Sequence, residues 1–360
     1  MIVLVADHVL QDKFIIPQDV RGTRIAGRGR NRWGWQERTG RTLQLESLYI
    51  TAVNFPLGLE AGGVREMGTG LVVVEKIGGK STVTRCFSEY PLKFIIPKKV
   101  GPSETDVVWI YVLTYGGGIV SGDSISCHYT IGDGCTAVLT TQASTKVYKS
   151  VGTKCSEQIF EAKIGRNALL AVIPDPVTCF TTARYSQMQF FRVLSDSNLV
   201  VVDWFTSGRY ESGEKWDFGF YKSTNNIFLE DDQPLFLDTV LLEQGRIISI
   251  TERMQDYQVI AIVILLGPKL RHVQDRVQGD VKRMMSGCLN SNSNALRGST
   301  RTNSCFYLSK PNFVASCSFF GPKGMGLIVR IAAMTTELVR QFLRLQLANL
   351  EPVLGVSPYQ

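Results

Sequence analysis

The sequence predicts a mainly β protein with about two α-helices, and three observations carry that prediction. Apolar and polar side chains alternate with a period of two in short segments from about Met67 onward. Turn-forming residues separate those segments at close spacing. Only two stretches carry a helical period. Many short strands with few helices mean a sandwich, a barrel or a solenoid, and periodicity alone does not choose among them.

Taken in order, Gly70 to Glu75 and Val107 to Tyr115 are the first strand candidates. Ser124 to Ile131 alternates without a break, with Ile125, Cys127, Tyr129 and Ile131 on one face and Ser124, Ser126, His128 and Thr130 on the other. Gly132-Asp133-Gly134 then supplies positive-φ positions for a tight turn, and Cys135 to Thr141 reads as the returning strand. Further candidates are Gln158 to Ala162, Ala168 to Ile173, Gln189 to Leu194, Leu199 to Phe205, Asp217 to Lys222, Ile227 to Glu230, Leu235 to Leu242, Ile247 to Thr251 and Val259 to Leu266. Ser195 to Asn198, Thr224-Asn225-Asn226 and Asp231 to Pro234 read as loops between them.

The first helix is marked after Pro268 by Val273, Val277, Val281 and Met284, spaced by four and three. The second lies in Thr335 to Leu350, with Leu338, Val339, Phe342, Leu345 and Leu350 on one face. Between them, Ser286 to Ser304 is rich in Ser, Asn and Gly and reads as a long loop.

Composition narrows the function classes. The longest apolar run, Val259 to Gly267, is far below the roughly 18 residues needed to cross a bilayer. Met1 to Leu10 lacks the positive start and clean apolar stretch of a secretory signal, so the expected location is the cytoplasm. The eight cysteines never fall as C-x-x-C and read as free thiols, several of them in the core. Arg21 to Arg41 holds seven arginines against Glu37, which accounts for +6 of the net +7. Residues 1–66 therefore read as a basic leader, and the remaining chain has no basic excess to drive nucleic-acid binding. The leader itself is either an unstructured segment or an arm for RNA or another anionic surface.

No catalytic set is written in the chain. His8, His128 and His272 are far apart, with no His-x-x-x-His pair and no zinc motif. Tyr115 to Asp123 contains three successive glycines but lacks the Lys-Ser/Thr ending of a P-loop, and a strand follows it where a helix N-terminus would be needed. There is no G-x-S-x-G elbow, and the adjacent acids Asp231-Asp232 sit in turn chemistry. A binding protein fits this inventory better than an enzyme. A carbohydrate-active enzyme on a β-solenoid, using two carboxylates, and an inert β body with a nucleic-acid-binding arm are the alternatives.

Four blocks point to a family. Gly117 to Asp123, followed by Leu139 to Ser150 (LTTQASTKVYKS), is the first; Pro174-Asp175-Pro176 with Cys179-Phe180 and Ala183-Arg184-Tyr185 is the second. Asp203-Trp204, Ser207-Gly208-Arg209 and Gly213 to Trp216 form the third, and Tyr90 to Lys93 with Pro97 stands ahead of them all. In this order the blocks resemble the UreD (UreH) family of urease accessory proteins, over about Met67 to the end.

The resemblance implies a non-catalytic scaffold built as a β-helix-like or β-solenoid stack of strands with a pair of helices. It implies binding to apo-urease and, with a UreF-type accessory protein and a UreG-type GTPase, assembly of the complex that delivers nickel. Nickel would be in transit through an internal channel, with no tightly bound cofactor. Residues of the matching blocks are the candidates for interface or channel: Asp123, Gln142, Lys146, Tyr148, Asp203, Arg209, Glu214 and Trp216. Read as residues alone, Asp123, Asp203 and Glu214 equally suit turns or buried ion pairs, for example with Arg209 or Lys146, and Trp216 equally suits a core.

Overall fold

A computed structural model of the chain describes residues 68–98, 105–245, 248–295 (side chains to residue 286) and 311–359. The basic leader and residues 296–304 of the expected loop lie outside the described residues.

In chain order the strands are β1 (Gly70–Ile77), β2 (Lys80–Ser88), β3 (Leu92–Ile95), β4 (Val108–Thr114), β5 (Ser124–Ile131), β6 (Thr136–Thr140), β7 (Thr145–Val147), β8 (Ser156–Ile164) and β9 (Leu169–Val172). They continue with β10 (Val177–Cys179), β11 (Arg184–Val193), β12 (Asn198–Thr206), β13 (Phe220–Leu229) and β14 (Pro234–Glu243). After helix α1 (Ile250–Met254) come β15 (Val259–Leu266), α2 (Arg271–Ala295), β16 (Phe313–Phe320), β17 (Gly326–Ala333), α3 (Thr336–Leu347) and α4 (Glu351–Leu354).

Two sheets face each other. One runs in the order β14-β13-β11-β8-β5-β1-β2, the other β16-β17-β15-β12-β9-β6-β4-β3, with β10 beside β12 and β7 beside β10. From β5 to β13 the chain passes from one sheet to the other and back, so successive strands of one sheet are parallel: β5 with β8, β8 with β11, β11 with β13, and likewise β6 with β9 and β9 with β12. This is a β-solenoid, closed at each end by antiparallel strands such as β2 and β14. The expected fold class holds.

Several local expectations do not. Gly132 to Gly134 closes no hairpin: β5 and β6 belong to different sheets, and the Asp133 side chain takes the Arg166 backbone N–H at 2.7 Å to hold the corner between coils. Alternation and a turn signal are the same for a hairpin and for a solenoid corner, so the sequence cannot separate them. Thr224 to Asn226 is the middle of β13 and not a loop, because Asn225 is fully buried and finds side-chain partners there. Ile248 to Thr251, the described part of the strand expected over Ile247 to Thr251, does not form one; Ser249 and Glu252 make a reciprocal capping box that opens α1. Helix α2 runs on to Ala295, through the first part of the segment expected to be a loop. Strands β2, β3, β10, β16 and β17 are not among the expected strands; β2 is an edge strand with Lys80, Thr82, Thr84, Cys86 and Ser88 exposed, and Arg330 interrupts the apolar run of β17.

The core has two layers. Inward side chains of both sheets fill the space between them, among them Ile125, Ile131, Ile164, Phe191, Val201 and Ile262. The outer face of the second sheet packs against Val273, Val277 and Val281 of α2 and Val339, Phe342, Leu343 and Leu347 of α3. β15 contributes to both layers, Ile260, Ile262 and Ile264 inward and Val259, Ala261 and Val263 outward, which explains why VIAIVILL is apolar throughout.

One ion pair crosses the inner layer, Arg330 of β17 to Asp238 of β14 at 2.6 Å, with side-chain exposures of 13% and 7%. Breaking a pair this buried strands the survivor's charge. Asp238→Ala is expected to cost about 3–5 kcal/mol in thermal or denaturant unfolding, and the apolar double replacement D238A/R330M to recover most of it. A double variant no more stable than the single one would contradict this role.

Candidate functional site

The segments singled out in the sequence converge at one place. Ile119, in the glycine turn, forms a parallel bridge to Val147, giving its carbonyl to Tyr148 N–H at 3.0 Å and its N–H to the Lys146 carbonyl at 2.8 Å. β7 lies beside β10 and β10 beside the end of β12, so the first, second and third blocks become neighbouring strands. Gly118 is required by this closeness, since a Cβ there would sit 2.7 Å from both the Lys146 carbonyl oxygen and the Tyr148 ring.

The turn after β12 is fastened onto β10. Arg209 grips Glu214 with both edges of its guanidinium, through Nη2 to Oε1 and through Nε to Oε2 at 3.0 Å, and lies 4.1 Å above the Phe180 ring. The Thr181 backbone N–H also reaches Glu214 Oε2 at 3.3 Å, and the Arg209 contact leads the causes that draw the Glu214 carboxyl down to about 2. Tyr148 packs edge-on against Phe180 with ring centres 5.3 Å apart, and its hydroxyl donates to the Gly116 carbonyl at 3.0 Å.

Beneath these loops, between the sheets, lies a cavity of about 80 Å³. It is lined by the partly exposed Thr140, Thr141, Thr145, Gln158 and Asp175, by the buried Gln187, Gln189 and Asp203, and otherwise by mainly apolar side chains such as Val112, Leu139, Phe160 and Val172. The parallel register gathers the buried polar residues into a layer. Gln187 pairs with Gln158 and Ser223, and Gln189 with Asn225, each at the same level on adjacent strands with its side chain directed inward.

Asp203 is the centre of that layer. Its Oδ2 accepts from the Ser223 hydroxyl at 2.6 Å and Asn225 Nδ2 at 2.8 Å, and its Oδ1 from Gln187 Nε2 at 3.3 Å. The Tyr185 hydroxyl extends the network to Gln158 at 2.8 Å, and Gln189 Nε2 donates to Asn225 at 2.9 Å. All three donors to Asp203 are neutral. Burial therefore pushes its carboxyl above the ordinary carboxylate value, only partly opposed by the hydrogen bonds from Ser223 and Asn225.

Of the eight candidates, Lys146, Tyr148, Arg209 and Glu214 are brought together along one edge of the solenoid, where β7, β10 and the end of β12 adjoin, three of them around Phe180, with Lys146 and Gln142 exposed. Asp203 lies inside, in the cavity wall. Asp123 closes its own turn by accepting from Val120 N–H at 2.8 Å. Trp216 is fully buried, stacked edge-on against Phe205 and Phe218, with its Nε1 donating to the Tyr257 carbonyl at 3.0 Å. Sequence reasoning missed Gln158, Gln187, Gln189, Ser223, Asn225 and the threonines. The available signal was polar residues at inward parity, as in Tyr185-Gln187-Gln189 on β11.

Among the described residues no three His, Cys, Asp or Glu side chains group as a metal site. His128 faces Glu161 at 3.4 Å on the outer face of the first sheet. The cavity wall offers scattered neutral oxygens and single carboxylates, donors that hold a divalent cation weakly. No helix among the described residues is long and apolar enough to cross a membrane.

The model of the family described as UreD urease accessory protein matches residues 67–360. Urease accessory protein D of Arabidopsis thaliana is 67% identical over 293 residues, covering 81% of this chain and 100% of the relative. Urease accessory protein D of Oryza sativa subsp. japonica is 59% identical over 302 residues, 84% of this chain and 97% of the relative. A bacterial relative, urease accessory protein UreD of an Anaeromyxobacter species, is 30% identical over 296 residues, 81% of this chain and 88% of its own.

The raised Asp203 carboxyl sets a pH dependence. Below the unfolded value, near 4, the group is protonated in both states and adds no slope. As pH rises, the unfolded chain ionises first, so stability falls until the pH passes the folded value. Asp203→Asn is expected to lower stability at every pH by losing acceptor geometry, but to remove this decline from its own pH profile. Parallel wild-type and D203N midpoints from pH 4 to 8 would contradict the assignment.

Proposed function

The chain belongs to the UreD family of urease accessory proteins, and we propose that it is a non-catalytic scaffold through which nickel passes on its way into apo-urease. In this reading it works in the cytoplasm, binds apo-urease, and joins a UreF-type accessory protein and a UreG-type GTPase in the activation complex. The free thiols of buried Cys127, Cys135 and Cys179 suit a reducing compartment.

One observation carries the reading: the blocks that mark the family meet at a cavity whose mainly apolar wall contains the buried polar cluster of Gln187, Gln189 and Asp203. A volume of about 80 Å³ admits several waters, and with them a cation that keeps part of its hydration shell. Burial among neutral donors disfavours the charge on Asp203, and a passing cation would favour it by supplying the counter-charge. Weak oxygen donors favour release over retention, as a conduit requires. The exposed Gln142 and Lys146, with half-buried Tyr148 behind them, form the rim on which a partner would seat.

The test is to plug the conduit without touching the rim. Thr145→Phe places a ring in the cavity wall and leaves Gln142, Lys146 and Tyr148 in place. The variant is expected to stay folded and to be recovered with urease on co-expression, while urease nickel content and activity fall at least about tenfold, the loss a blocked positioning step typically causes. Normal nickel loading by a folded T145F chain would overturn the conduit.

A further inference from the structure

At the outer end of the cavity, Asp175 faces two ways. Its side chain belongs to the cavity wall and is 20% exposed, and its Oδ1 is held by Arg340 Nη2 at 2.8 Å. Its backbone N–H is fixed by the Thr141 hydroxyl at 2.9 Å, so the carboxylate stands on an anchored corner. The preceding carbonyl, of Pro174, accepts from Trp204 Nε1 and from the Tyr359 hydroxyl, each at 2.8 Å. Trp204 and Tyr359 meet edge to face at 5.9 Å, and the Arg340 guanidinium lies 5.7 Å from the Trp204 ring. The corner is therefore rigid on the Asp175 side.

Arg340 differs. It stands on α3, a helix pinned to the second sheet by Val339, Phe342 and Leu343, but its own side chain is 36% exposed. Removing the guanidinium from Asp175 needs a rotamer change and no backbone movement. A half-exposed ion pair of this kind is weakly held, because water competes for both partners. Thr141 Oγ1 is engaged by the Asp175 backbone N–H and shares the cavity wall with the Asp175 side chain, so withdrawal of Arg340 leaves the Asp175 carboxylate as an oxygen donor of the type a hydrated divalent cation accepts.

We propose that Asp175 is a transient binding site for a hydrated divalent cation at the cavity mouth, and that Arg340 is its latch, displaced by the arriving cation and returning when it leaves. The latch rests on the conduit reading. It gives that conduit a preference for double charge: a monovalent ion gains less from the carboxylate than Arg340 does in its bidentate-capable, ring-supported position, whereas a divalent ion gains more.

The test uses the full chain and Ni2+ alone, titrated calorimetrically, with thermal midpoints recorded for every variant. Arg340→Gln is expected to bind Ni2+ about tenfold more tightly than wild type, since it frees the carboxylate from a competing cation. R340Q/D175N is expected to lose that gain. Unchanged affinity in a stable R340Q, or a gain that persists in the double variant, would overturn the latch. If R340Q is unstable, Asp175→Asn alone decides: weaker Ni2+ binding supports the site, and unchanged binding refutes it. Failure of T145F to reduce nickel loading would remove the conduit instead, a result read from urease and independent of these affinities.

Discussion

The structure turns on a carboxyl group buried between two sheets with only neutral donors around it. Asp203 can occupy that place because Gln187 and Ser223, level with each other on adjacent strands of the opposite sheet, and Asn225 one level further along, all direct their side chains inward. They do so only in one register. A slip of one residue on β11 or β13 would turn Gln187 and Asn225 to the outside and bring Phe190 or Asn226 inward, stranding the carboxyl. The parallel coil from β5 to β13 is thus fixed from within by polar contacts as well as by the aliphatic packing around them. The same contacts hold the sheets apart at the cavity.

That arrangement couples the interior to the end of the molecule where loops meet. β12 carries Asp203 inward, Trp204 outward and, three residues past Trp204, the turn that Arg209 and Glu214 clamp onto Phe180. β10 carries the second block between β7 and β12, and Asp175 just ahead of it forms the corner at the mouth. Loop residues placed by a rigid scaffold are where binding chemistry is usually found. Here a cavity also lies behind them. The cavity wall holds two carboxyls, Asp175 paired with Arg340 and Asp203 among neutral donors.

Much of this was legible in the sequence. β5 and β15 follow from period-two alternation and from an unbroken apolar run, and α2 and α3 from their valines, leucines and phenylalanine at helical spacing. The family blocks marked the segments that meet at the mouth. What was hidden depends on partners distant in the chain. Asn225 reads as a loop residue because an exposed asparagine favours turns, yet Asp203, 22 residues away, makes it a strand residue. Gln187 and Gln189 carry no local sign of burial, because the bonds that hold them come from the facing layer and the neighbouring strand. Arg330 breaks the apolar signal of β17 for a reason that lies 92 residues away, in Asp238. The corner at Gly132 to Gly134 is ambiguous by nature, since local chemistry fixes the turn and not which sheet the chain enters next.

The most direct measurement of the central claim is anomalous diffraction at the nickel absorption edge from crystals of the full chain soaked in Ni2+. The account predicts anomalous density inside the solenoid, between Thr141 at the mouth and Asp203 within. Density confined to exterior side chains such as His128 and His272, with none between the sheets, would contradict it.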